Sequence, residues 1–304
     1  SLIELIRLIR LIVPSSLFSS LSFLSFVNLF VHLPYQQSIP TMKYILLPKP
    51  DTIHQLPFYF AVEEYVARHY TDDDYFMGWR VNPTVMLGRN QLIDNEVNTD
   101  YCKEHKIDIF RRKSGGGCIY ADKGCIQFSY ISRSVNANEA FAAYMQRMAD
   151  LLKGLKIDAQ LSGRNDILIN GTKVSGCAFY QLSNRSVLHN SLLFDTQLDH
   201  LSNALTPAKE KLQSKGVASV RQRVTNVATY TQLDILAFMD YVRQEMCGTE
   251  VLELTEEDMK EVAEIEKELS SDDFIYGKNP KYSLVRKHRF EGVGTLEAHI
   301  ELKN

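Results

Sequence analysis

The five cysteines (Cys102, Cys118, Cys125, Cys177, Cys247) form no C-x-x-C pair and no cysteine–histidine spacing suited to zinc. Their odd number does not fit a disulfide framework, so reduced thiols in a cytoplasmic setting are expected. The chain also lacks bulk charge: a formal net charge of -3 excludes general attraction to nucleic acid, and any site for a polyanion has to be local. No Gly-Lys-Ser/Thr occurs at Walker spacing and no G-x-G-x-x-G opens a helix, which sets aside the P-loop and the dinucleotide fingerprint. There is no internal repeat with a period of about 20–50 residues, and no carboxylate pair identifies itself as a metal ligand set, so the metal ligands are left unassigned.

What is present is globular in composition, with 304 residues, 45% hydrophobic and 23% charged, enough for one large domain or a large and a small one. The first forty residues stand apart. They are rich in Leu and Ser, carry Arg7 and Arg10 ahead of an apolar stretch, and have no acid after Glu4. Leu11 to Leu33 approaches membrane-spanning length, but Pro14, the serines, Asn28 and His32 dilute it and no small-residue cleavage site follows. Residues 1–41 are therefore read as a non-native upstream extension or an apolar leader without a functional role. The folded protein is expected to begin at Met42, with no membrane association.

From there the periodicities alternate. "KYILL", "YFMGWR" and "TVMLG" read as strands, the last two around an Asn82-Pro83 turn. "LPFYFAVEEYVARHY" spaces apolar residues as a helix does, and "NTDYCKEHK" reads as a helix capped by Asn98 or Thr99. The strand "CIQFSYIS", a helix from Asn138 to Leu155 and the strands "NDILING", "TKVSGCAFYQ" and "SVLHNSLLFD" follow. Asn170-Gly171 marks a hairpin. Strands outnumber the helices between them, which predicts an α+β fold with a mixed, largely antiparallel sheet and packed helices.

Two clusters carry chemistry. In "FRRKSGGGCIYADKGCIQFSY", Arg111, Arg112, Lys113 and Ser114 precede Gly115, Gly116 and Gly117. Adjacent glycines weaken packing and are expected where backbone takes unusual angles or closely approaches a ligand; their N–H groups can form an anion nest beside the basic side chains. The alternative is a solvated basic turn. In "SGRNDILINGTKVSGCAFYQ" the hairpin folds Lys173 back beside the strand headed by Asn165 and Asp166, with Ser175 and Gly176 following. A compact ammonium there suits an oxygen whose negative charge grows during reaction.

Together these stretches resemble the lipoate-protein ligases, almost colinearly from Met42 to the C-terminus. The family's R-R-x-S-G-G-G loop matches Arg111 to Gly117, its G-R-N-D strand matches Gly163 to Asp166, and its K-V/I-S-G-x-A motif matches Lys173 to Ala178. "HNSLLFD", with His189 and Asp195, is similar to its H-G-T-L-L segment. "KGVASVRQRVTN", with Arg221 and Arg223, is similar to its adenylate-closing loop. The resemblance implies a fold related to biotin ligases and class II synthetases, and two steps. Lipoate attacks the α-phosphate of ATP, with Mg2+ expected alongside the nucleotide, to give lipoyl-AMP and pyrophosphate. The acyl group then passes to a lysine of an acceptor lipoyl domain of a 2-oxoacid dehydrogenase E2 subunit or of the glycine-cleavage H protein. It also implies that Lys173 bridges the acyl carbonyl and α-phosphate, that Arg112 and Ser114 engage substrate and phosphate, and that Asn165 and Asp166 orient nucleotide or lysine. Ser175, Gly176, His189, Arg221 and Arg223 complete the implied substrate and ATP site. Lys209, Lys211 and Lys215 add positive charge to the closing loop, which offers a guide for an acidic acceptor.

The chain departs from the family pattern in having Ala121 where many members have His, and Asn190 where they have Gly. By the same resemblance, residues 42–254 form the catalytic domain. Residues 255–304, an acidic helical stretch followed by Tyr276-Gly277 and Pro280, form a linker and a truncated accessory domain. Two rival classes share the expected fold or the ligand. One is an ATP-independent octanoyl or lipoyl transferase carrying the acyl group on Cys177 or Cys118; the other is a binding protein without turnover.

Overall fold

The computed structural model describes residues 42–163, 165–182, 184–205, 223–277, 284–290 and 294–300. The N-terminal extension, Arg164, Arg221 and the three lysines of the closing loop lie outside these residues. The described residues fall within one compact unit that begins at Thr41.

Its elements run β1 (Met42–Leu46), α1 (Leu56–His69), β2 (Asp74–Trp79), β3 (Thr84–Leu87), α2 (Ile93–Glu96), α3 (Thr99–Glu104), β4 (Asp108–Arg111), β5 (Ile119–Ala121) and β6 (Cys125–Ser132). Then follow α4 (Ala137–Gly154), β7 (Ala159–Ser162), β8 (Asp166–Ile169), β9 (Thr172–Leu182), β10 (Arg185–Leu193), α5 (Leu198–Ala204) and a 3-10 turn at Val227–Tyr230. The C-terminal part comprises α6 (Ile235–Cys247), β11 (Val251–Glu253), α7 (Glu256–Leu269), α8 (Asp272–Tyr276), β12 (Leu284–Phe290) and β13 (Gly294–Ile300).

Eight strands form the main sheet in the order β11-β1-β2-β6-β10-β9-β8-β7. Only β1 has parallel neighbours, β2 and β11; the other pairs are antiparallel, as the expected α+β class requires. A second sheet, β4-β3-β5, carries the glycine segment between β4 and β5, and β12 pairs with β13. Asn170 and Gly171, with φ of 50° and 75°, form the hairpin that turns β8 into β9.

The main sheet is covered on both faces. His189 and Asn190 are neighbours on β10, so their side chains leave opposite faces. His189 faces Glu63 of α1, and Asn190 accepts a hydrogen bond from Tyr144 of α4. α1 is buried from Leu56 to Ala67, charged residues included. Pro57 sits in its first turn, where a missing N–H does no harm, and Arg68 and His69 lie at its negative end. Asn98 caps α3 by accepting from Tyr101 N, and Asn136 caps α4 by accepting from Glu139 N. A capping box at Thr255 and Asp258 starts α7. α7 and α8 bury Val262, Leu269 and Ile275 in the same core as α1.

Candidate active site

A cavity of about 270 Å³ lies between the main sheet, the second sheet and the glycine segment. Its walls are mostly apolar and aromatic, including Phe60, Trp79, Met86, Tyr120, Leu193 and Leu201. Its polar side chains are Arg112, Gln127, Asn165, Lys173, Ser175, His189 and Ser191, with backbone from Gly116 and Gly117. This is the composition of a site for an elongated apolar ligand with one polar end. Trp79 on β2 and Lys173 on β9 are three strand intervals apart in the sheet order, about 14 Å at ordinary strand spacing.

Lys173 and Asp166 meet as expected from the hairpin. Lys173 Nζ lies 2.7 Å from Asp166 Oδ1, with both side chains about a third exposed. Gly176 makes this possible, because a Cβ there would lie 2.9 Å from Lys173 Nζ and 3.2 Å from its Cε. Asn165 is fixed on β9 from both ends: its Nδ2 donates to Cys177 O at 3.1 Å, and its carbonyl accepts from Cys177 N at 2.9 Å. Thr225 N donates to Lys173 O at 3.0 Å, so Thr225 is pinned beside Lys173. Arg223, two residues earlier, is exposed. Ser175 is buried, and its Oγ accepts from Asn190 Nδ2 at 3.0 Å. Asn190, where the family pattern has glycine, thereby joins Tyr144 to Ser175 beneath the site.

The charge beside the glycines is engaged inside the protein. Arg111 is fully buried and donates to the carbonyls of Gly88, Arg89, Gln91 and Ile275. Arg112 donates to Met86 O, Gly115 O and Gly117 O and to Ser114 Oγ. Burial pushes its pKa down to about 10, against a smaller upward influence of Cys118, and it remains a cation at neutral pH. Gly116, with φ of 94°, turns the chain so that the flanking carbonyls converge on this guanidinium. Lys113 pairs with Glu64. Ser114 Oγ lies 2.6 Å from His189 Nε2. Gly115 and Gly117 have nothing within 4 Å of where a Cβ would stand, and Gly116 and Gly117 line the cavity.

The two nominated cysteines are poor nucleophiles. Burial pushes Cys118 up to about 12, with Glu96 adding to the effect, and raises Cys177 further, so neither thiol yields an appreciable thiolate at neutral pH. Among the described residues no group of three or more His, Cys, Asp or Glu side chains is placed to hold a metal ion, and no helix is long and apolar enough to cross a membrane. The buried acids Glu63 and Glu64 escaped sequence reasoning. Their signal was an adjacent acid pair inside an otherwise apolar helical stretch.

Residues 56–247 match the sequence profile of the lipoyl protein ligase A/B catalytic domain. Lipoate-protein ligase LplJ of Bacillus subtilis is 34% identical over 254 residues, covering 80% of this chain and 76% of that protein. Among solved structures, the bi-partite lipoate protein ligase of Thermoplasma acidophilum, studied with its E2 lipoyl domain, superposes with a TM-score of 0.69 at 24% identity. The match covers 81% of this chain and all of that one. A lipoate-protein ligase A bound with ATP gives a TM-score of 0.66 at 23% identity, covering 79% of this chain and 99% of the other.

Proposed function

Because the chain belongs to the lipoyl protein ligase A/B catalytic-domain family, we propose that its cavity binds lipoate and that the protein is an ATP-dependent lipoate-protein ligase. The observation that carries the assignment is Lys173, a cation at one end of a mostly apolar cavity, held by Asp166 and bordered by the glycine loop.

An extended acyl chain lies across the strands with its apolar end toward Trp79 and its carboxylate at Lys173. In the first step a carboxylate oxygen bonds to the α-phosphorus of ATP as the bond to pyrophosphate breaks. Two anions must approach each other, so the protein's task is neutralising charge and fixing geometry. The Lys173 ammonium serves the carboxylate and phosphate oxygens, and the amides of Gly115 to Gly117 offer further donors. In the second step a lysine amine of the acceptor attacks the acyl carbon, AMP leaves with the bonding pair, and the amine loses a proton. Lys173 again faces the oxygens that gain charge. Arg112 shapes the loop through the Gly115 and Gly117 carbonyls and also lines the cavity, where it adds a second cation.

Magnesium accompanies the nucleotide in this reading. That ion would be held mainly by ATP phosphates and water, as is common for it. Lipoyl domains of 2-oxoacid dehydrogenase E2 subunits and the glycine-cleavage H protein are the proposed acceptors, and a reducing cytoplasm suits the five free thiols. The raised cysteine pKa values favour the ligase over a cysteine-based transferase. Lipoate-dependent exchange of labelled pyrophosphate into ATP tests the proposal: it requires an acyl-adenylate, which a thioester transferase does not form.

A further inference from the structure

Glu63 and Glu64 are consecutive on α1 and both are fully buried. Adjacent helical residues point about 100° apart, and these two reach different targets that converge on one loop. Glu64 takes Lys113 and also Arg68. Glu63 accepts from Ser129 and lies 3.4 Å from His189 Nδ1, and the other ring nitrogen of His189 lies 2.6 Å from Ser114 Oγ. Two neighbouring carboxylates thus hold two neighbouring residues, Lys113 directly and Ser114 through His189, immediately before the three glycines. Lys113 fills the open position of the R-R-x-S-G-G-G pattern, so the motif itself does not call for its tether to Glu64.

Glu63, His189 and Ser114 stand in the order of a hydrolase triad, but Ser114 is fully buried and its Oγ accepts from Arg112 Nε at 2.9 Å. It is a tether, not a nucleophile. We propose that Glu63 and Glu64 are positioning residues that hold the glycine loop in its ligand-ready form over the cavity. Glycine backbone has the most freedom to lose on ordering, and a loop ordered in advance spares the ligand that loss. The inference rests on the ligase reading for the identity of the ligand and on the tethers alone for the order of the loop.

The test uses the full chain as wild type, Glu63→Gln, Glu64→Gln, Lys113→Met and Glu64→Gln/Lys113→Met. Amide hydrogen exchange without ligand is expected to quicken at residues 114–117 while β6 and β10 keep their protection. The KM for lipoate in pyrophosphate exchange is expected to rise about 10-fold with a smaller change in kcat, the pattern of lost ground-state binding. The double variant should be little worse than Glu64→Gln, because the two changes break one tether. Unchanged loop protection, or a loss of protection spread evenly over the whole unit, overturns the proposal. Should Glu64→Gln not fold, Lys113→Met carries the test, since Lys113 is the partly exposed partner. A wild type without lipoate-dependent exchange sinks the ligase reading instead, and the amide measurement still decides the tethers.

Discussion

Lys173 Nζ and Asp166 Oδ1 stand 2.7 Å apart across the face of Gly176, where a Cβ would meet the ammonium at 2.9 Å. The position of the cation therefore depends on a residue without a side chain. Gly176→Ala is expected to push Lys173 aside and lower pyrophosphate exchange by about 10-fold or more, since small misplacements of a reacting group are expensive. The flexible lysine can move, so the thermal midpoint should change little. An alanine variant with wild-type kcat would separate the placement of Lys173 from catalysis.

Trp79 is the only tryptophan in the chain and it lines the cavity, with Nε1 donating to Ser129 Oγ at 2.8 Å. Lipoate binding should shift or quench its emission saturably, with a midpoint near the lipoate Kd. ATP alone should have little effect, because the proposed mechanism puts the nucleotide at the Lys173 end, three strand intervals from Trp79. Active enzyme whose emission ignores lipoate would place the acyl chain elsewhere.

The cysteines give a pH-resolved prediction. With Cys118 pushed up to about 12, thiolate is the minor form below that pH, so alkylation at Cys118 should rise about tenfold per pH unit from pH 7 to 10. It should not level off near the model-thiol value. Cys118→Ala and Cys177→Ala should retain adenylation within about threefold, since both act as small packed side chains. Loss of all turnover in either variant, with the fold intact, would revive the cysteine-based mechanism.

Arg111 and Arg112 reach different partners despite being adjacent: only Arg112 lines the cavity, and Arg111 serves carbonyls in the interior. Arg111→Met strands the carbonyls of Gly88, Gln91 and Ile275 in the interior. It should destabilise the fold by about 3 kcal/mol, seen as a thermal midpoint lower by roughly 6–12 °C for a unit of this size. A midpoint within a degree of wild type would show that those carbonyls find other partners.

The contrast between these arginines shows how far the sequence could be read. Alternation and turn residues located the strands well: Asn170-Gly171 and the Asn98 cap are local devices whose chemistry lies within a few residues. The hairpin also brought Lys173 to Asp166, because register follows from the turn. The destination of the basic side chains beside the glycines was not legible. Glu64 for Lys113, Ile275 for Arg111 and, beside them, His189 for Ser114 are distant in the chain, and nothing in "RRKSGGG" tells carbonyl partners from phosphate. Sequence reading aimed Arg112 and Ser114 at substrate; in the fold Arg112 lines the cavity while donating to Met86, Gly115 and Gly117 carbonyls, and Ser114 meets Arg112 and His189. The buried acids were missed for the same reason, since an apolar periodicity does not disclose what a charge inside it will meet.

Lys173 is the point on which the account turns. In the proposed mechanism Lys173→Ala removes the cation beside the reacting oxygens, and loss of such a preorganised group lowers rates by on the order of 10²-fold or more. Removal of an ordinary strand lysine leaves catalysis alone and shifts stability by no more than about 0.5 kcal/mol. The decisive measurement is lipoate-dependent pyrophosphate exchange on folded Lys173→Ala protein, with the thermal midpoint taken on the same preparation. The account predicts a near-wild-type midpoint with exchange reduced at least about 100-fold; near-wild-type exchange would contradict it.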